Sequence, residues 1–182
     1  MNNELAAWSS FYVTIGASAA SLTGLTFVVI TLITSMERMP AAEGLAVFST
    51  PTVLHFGTAL LIAAILSAPW HSAVTVAIFL AIVGACGLVY IISIMYRTRR
   101  LRVYDPDLSD WIWYTIVPFI AYAAILAGGL MFVPLPVKAL FIVGGAALLL
   151  IFVGIRNSWD VVTFLIARDA GERSVRPDED KS

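Results

Sequence analysis

Five apolar stretches, residues 11–34, 52–69, 73–96, 111–133 and 137–156, divide this 182-residue chain, and each is long enough to cross a bilayer. A hydrocarbon core of about 30 Å takes roughly 20 helical residues at ~1.5 Å each. Inside such a medium every backbone N–H and C=O must bond within its own segment, which makes the helix the form for stretches of this length. The chain is 60% hydrophobic and 13% charged, and its charges avoid the apolar stretches almost entirely. Composition therefore predicts an all-α integral membrane protein, a bundle of five transmembrane helices.

Two of the links are turns of a few residues, Ser67-Ala-Pro-Trp-His71 and Val133-Pro-Leu-Pro136. The helices they join are expected to be antiparallel hairpins. Orientation follows from the cations. If the loop carrying Arg97, Arg99, Arg100 and Arg102 is cytoplasmic, alternation puts Arg38, Arg156, Arg168, Arg173, Arg176 and Lys181 there as well. Only Lys138 of the 11 cations then falls outside. The topology predicted is N-out and C-in. The N-terminal MNNELAAWSS has no Lys or Arg, which agrees with its translocation and lacks the basic start of a cleaved signal peptide. The single cysteine, Cys86, lies mid-membrane, so no intramolecular disulfide is expected. The compartment these features suggest is a bacterial inner membrane.

Local signals refine the domain. Thr50 is expected to cap the second helix with Pro51 as its first residue, after a surface-lying Ala41–Phe48. Ser109 or Asp110 is expected to cap the fourth. Pro118 has no N–H to offer the Tyr114 carbonyl and should kink that helix. The fifth helix is expected to run past Arg156 to about Arg168, with Arg156 and Asp160 paired four residues apart. Residues 1–168 then form one transmembrane domain, and 169–182 a charged tail expected to be disordered. No internal repeat is evident, which disfavours an inverted-repeat transporter.

The first stretch, FYVTIGASAASLTGLTFVVITLIT, is unlike a lipid-facing helix: it holds seven Ser/Thr, two Gly and three Ala. At 100° per residue, Thr14, Ser18 and Ser21 lie within about 60° of one another, with Thr31 deeper and less aligned. Hydroxyls in a row can line a polar path. Small residues also let helices approach closely, and Gly16, Ala20 and Gly24 make a small-xxx-small face. Thr14, Ser18, Ser21 and Thr31 are thus pore-lining or helix-packing candidates.

Other features carry a functional and a plain reading each. Arg97, Arg99, Arg100 and Arg102 suit anionic lipid head groups or simply fix topology. His55 is read as an interfacial polar residue before a pH switch, and His71 is a membrane away, so the two cannot share a metal ion. Tyr122, deep in the fourth helix near Pro118, needs a partner for its hydroxyl, and the two mark a possible pocket. Gly128-Gly129 and Gly144-Gly145 are expected to let the last two helices cross closely.

No Asp, Glu, Lys or Arg stands at membrane depth, which weighs against proton-coupled pumping. There is no phosphate-binding glycine loop, nucleophile elbow or HExxH helix, so neither an enzyme, a cofactor nor a metal site is expected, and no nucleic acid partner.

The run Gly16-Ala-Ser-Ala-Ala-Ser-Leu-Thr-Gly-Leu-Thr-Phe-Val28 resembles the first helix of small, mostly uncharacterised bacterial multi-pass proteins that carry an A-x-L-T-G-L-x-F-V motif. The resemblance implies an inner-membrane setting and no catalytic activity.

The specific function these readings favour is a homo-oligomeric, passive channel-like protein with the first-helix stripe along the path. One alternative is a non-conducting accessory protein packed against another membrane protein. A second is a carrier of a small neutral or lipid-like solute using Pro118 and Tyr122. Its partners are then membrane lipids and either copies of itself or a foreign membrane protein.

Overall fold

A computed structural model describes residues 2–35, 42–100 and 111–175, with side chains described over 4–32, 51–96 and 111–163. Within these residues the chain is helical, with no strand. Five helices follow in order: α1 Asn2–Ser35, α2 Ala42–Ser67, α3 Ala73–Arg100, α4 Ile112–Met131 and α5 Pro136–Val175. The stretches Glu4–Leu32, Ala73–Tyr96, Ile112–Met131 and Pro136–Thr163 are long and apolar enough to cross a membrane, and Pro51–Ser67 is a shorter apolar helix.

The helices overrun the apolar stretches at several ends. Hydropathy marks the length that suits lipid, whereas backbone bonding continues until the chain has a reason to stop. α2 begins at Ala42, so Thr50 and Pro51 lie inside it and the expected cap at Thr50 is not formed. An internal proline removes one bond, to the Val47 carbonyl, and the turns on either side retain theirs. α5 is 40 residues long, about 60 Å, and reaches Val175, so residues 169–175 of the expected tail are helical. The pairing of Arg156 with Asp160 forms on its surface. Ser109 and Asp110 lie outside the described residues.

Pro118 is accommodated by a change of helix type. Ile112–Ile116 forms a π turn, in which the Val117 N–H bonds to the Ile112 carbonyl, and the α-helix starts at Val117 with Pro118 in its first turn. A proline costs least there, because its N–H would lack an intrahelical partner anyway.

Three helices, α2, α4 and α5, make the centre, α1 lies against α2 and α5, and α3 rests chiefly on α4. Glycines set the α3–α4 approach. A Cβ on Gly84 would strike the Leu126 backbone, and one on Gly129 would stand 2.6 Å from the Ala81 nitrogen. The three pairings along this contact, 81 with 129, 84 with 126 and 87 with 122, run in opposite senses and make the pair antiparallel. Of the two glycine pairs, only Gly128 serves the α4–α5 crossing, against Val143. Gly144 receives Phe11 and Trp8 of α1, and a Cβ on Gly145 would meet nothing within 4 Å.

α1 is fastened near its start. Tyr12 is buried and donates to the Leu140 carbonyl at 2.8 Å. The rings of Trp8, Phe11, Tyr12 and Phe141 pack edge to face or tilted around it. Tyr12, Ile15, Gly16 and Ala19 form its buried face, with the position of a Gly16 Cβ 3.1 Å from that of Ala63. Beyond Ala19 the helix buries less: Leu22 still packs against the core, while Leu25, Phe27, Val28 and Leu32 are all more than half exposed.

Candidate functional site: a buried polar strip on the second helix

α2 carries Thr52, His55 and Thr58 three residues apart, which places them within an arc of about 120° on one face. That face is the one packed inside the bundle: Thr52 is 2% exposed, His55 1% and Thr58 9%. From Thr52 to Thr58 the strip rises about 9 Å along the helix. It then meets Ala59, Ile62, Ala63 and Leu66, all buried and apolar. The polar interior therefore ends partway along α2.

Tyr122 of α4 reaches across to this strip. Its hydroxyl lies 3.0 Å from His55 Nδ1 and 3.3 Å from Thr58 Oγ1. Thr58 also donates to the Leu54 carbonyl at 2.8 Å. Each hydroxyl has one proton, so the set is satisfied in one direction. His55 Nδ1–H donates to Tyr122, Tyr122 donates to Thr58, and Thr58 donates to Leu54. The chain links two helices that a purely apolar contact would leave free to slide.

The Tyr122 ring depends on α3. It occupies the place where any side chain at Gly87 would project. Pro118, one turn earlier on the same face of α4, is buried with it. The two residues of the expected pocket thus share an interior face, and the partners of the Tyr122 hydroxyl are His55 and Thr58.

Two further groups complete the polar interior. Asn157 of α5 is 0% exposed, and among the described residues neither its carbonyl Oδ1 nor its amide Nδ2 finds a hydrogen-bond partner. Thr52 Oγ1 is in the same condition. Buried polar atoms of native proteins nearly always have partners, so three such atoms on facing helices form a distinct feature.

The first-helix residues lie elsewhere. Thr14, Ser18, Ser21 and Thr31 are exposed on the outside of the bundle. Thr14 donates back to the Ser10 carbonyl at 2.8 Å and Thr31 to the Phe27 carbonyl at 2.9 Å. Of the small-residue face, Gly16 meets α2, Ala20 is exposed, and a Cβ on Gly24 would meet nothing within 4 Å. Arg97, Arg99 and Arg100 end α3 and their side chains, like all of Arg102, lie outside the described residues. His71 is exposed at the α2–α3 turn. No group of three metal-ligating side chains occurs among the described residues.

Sequence reasoning passed over Thr52, Thr58 and Asn157. The threefold spacing of Thr52, His55 and Thr58 was a signal that they share a face. Asn157 directly follows the surface-paired Arg156, and at about 100° per residue it points to a different face. Comparison with protein-family models, curated proteins and solved structures finds no match.

Proposed function

We propose that this is a multi-pass protein of a bacterial inner membrane, N-out and C-in, whose α1 takes part in an assembly through its outward hydroxyl face. The best specific reading is a homo-oligomeric, passive channel-like protein with Thr14, Ser18 and Ser21 toward the path. The observation that carries it is the division of α1 into two faces. Tyr12, Ile15, Gly16 and Ala19 are buried against the chain's own helices. Thr14, Ser18 and Ser21 point about 140° away and are exposed. Thr14 donates within its own helix, to the Ser10 carbonyl, so what lipid leaves unmet on this stripe is the accepting capacity of its oxygens, which water or another helix would meet. The absence of charge from residues 11–34 suits a passive route better than a pump.

The test is solute and water flux into proteoliposomes. Changing Thr14, Ser18 and Ser21 together to Val should lower the flux at least tenfold while the oligomeric mass in nanodiscs stays the same. Unchanged flux overturns the lining assignment. A second reading, an accessory protein docked on a foreign membrane helix, draws on the same exposed face. It is favoured if the triple variant loses a stoichiometric partner and the wild type conducts nothing. A carrier reading draws on the interior placement of Tyr122 instead.

A further inference from the structure

Asn157 lies on the side of α5 that faces α4. A Cβ on Gly128 of α4 would strike Val143 of α5 and stand 3.5 Å from the Ala139 carbonyl. Asn157 is about five full turns beyond Ala139, so it points along the same side of α5, about 40° from Val143. α4 and α5 run antiparallel through their tight turn. About four turns back from Gly128 stands Trp113, and about four turns on from Val143 stands Asn157, so the two are level. The π turn Ile112–Ile116, which holds Trp113, itself touches α5.

That π turn leaves a bond unmade. The Val117 N–H, which in an α-helix would serve the Trp113 carbonyl, serves the Ile112 carbonyl instead. In the π register the next donor would come from residue 118, a proline with no N–H. The Trp113 carbonyl therefore has no donor in its own helix from either register. Lipid offers no water to replace one. Across the contact, Asn157 is wholly buried, and among the described residues its Nδ2 and Oδ1 have no hydrogen-bond partner. An acceptor without a donor on α4 thus faces a donor without an acceptor on α5. No residue of the π turn is buried, whereas Pro118, Ala121, Tyr122 and Ile125 after it are. The start of α4 can move while its body stays packed.

We propose that residues 111–116 are a two-position strap, pivoting at Pro118, for which Asn157 is the latch. The structure shows the latch open. In the closed position Asn157 Nδ2 donates to the Trp113 carbonyl. Oδ1 accepts from the N–H of Ile112 or Trp113, first-turn groups that have no acceptor inside the helix. One side-chain amide then meets the strap with both of its ends. The inference is independent of the α1 reading.

The experiment is NMR of the full chain in lipid nanodiscs. Asn157 shares its residue type only with Asn2 and Asn3, so asparagine labelled with nitrogen-15 isolates its side-chain amide, assigned by its loss in Asn157→Leu. In the wild type the Asn157 Nδ2 signal should be split, or should drift with temperature, as the two positions exchange. Pro118→Ala returns the Val117 N–H to the Trp113 carbonyl and should leave one Asn157 signal without drift. A single, temperature-independent signal in the wild type, or a splitting or drift that Pro118→Ala leaves in place, overturns the latch. Should Pro118→Ala not fold, hydrogen exchange decides. Asn157→Leu should then speed exchange at the amides of residues 113–117 by about threefold or more and leave those of residues 121–131 unchanged. Unchanged rates at 113–117, or a rise that extends through 121–131, overturns it.

Discussion

Tyr122 shows how much one side chain can couple. Its hydroxyl joins α4 to His55 and Thr58 of α2, while its ring needs the bare backbone of Gly87 on α3. Three helices meet at one residue, and Gly87 is the least conspicuous of the groups involved. Gly87→Ala gains helix propensity but drives a methyl into a ring that is buried on all sides. The expected result is a loss of about 1–3 kcal/mol in unfolding free energy, measured by reversible denaturation in detergent or nanodiscs. Tyr122→Phe in the same background should restore nothing, since the ring and not the hydroxyl is struck. The need of Tyr122 for a partner was legible in the sequence. The identity of that partner was not, because His55 is 67 positions away and on its own reads as an interfacial residue.

At the level of elements, the five apolar stretches correspond to five helices, and the short links at 67–71 and 133–136 correspond to the two tight turns. The expected cap at Thr50 and the expected start of the tail at 169 both fail, because helices run on past the apolar stretches; Pro51 and Pro118 show how the chain meets its prolines. Both residues break a local bonding rule, and the chain absorbs them in different ways: α2 continues through Pro51, while α4 inserts a π turn before Pro118. Helix pairing depends on glycines whose spacing alone did not reveal their partners. Gly16 and Ala63 give a direct check on the α1–α2 contact. With Cys86 changed to Ala, Gly16→Cys and Ala63→Cys should cross-link on mild oxidation, since a Cβ at Gly16 lies 3.1 Å from that of Ala63 and disulfides form near 3.5–4.5 Å after slight adjustment. Moving the first cysteine to Ser18 should abolish the cross-link, as that position faces outward.

For the whole molecule, two features of the interior pull in different directions. The packed centre from Ala59 upward is apolar, while the half of α2 that begins at Thr52 is polar and uncharged. Such an interior does not provide a continuous polar route through a single copy. The proposed conducting path would therefore run between copies, along the outward hydroxyls of α1. Topology is the simplest whole-molecule prediction. In a Cys86→Ala background, Asn3→Cys should react with a membrane-impermeant maleimide on intact cells, and Ser182→Cys should react only after permeabilisation. Labelling of Ser182→Cys on intact cells would reverse the assignment.

The sequence by itself determined the helical class, the number of helices and the two hairpins, because lipid forces the backbone to satisfy itself within each segment and the apolar lengths then count the segments. It also located the hydroxyl stripe, since helical periodicity is a local property. Only the tertiary structure decided which way that stripe faces, which helices α2 touches, and that Thr52, His55, Thr58, Tyr122 and Asn157 share one interior. Those facts depend on contacts between residues far apart in the chain, and in a uniformly apolar text a few missing side-chain atoms at Gly16, Gly84, Gly87 and Gly129 choose among arrangements that composition makes equivalent.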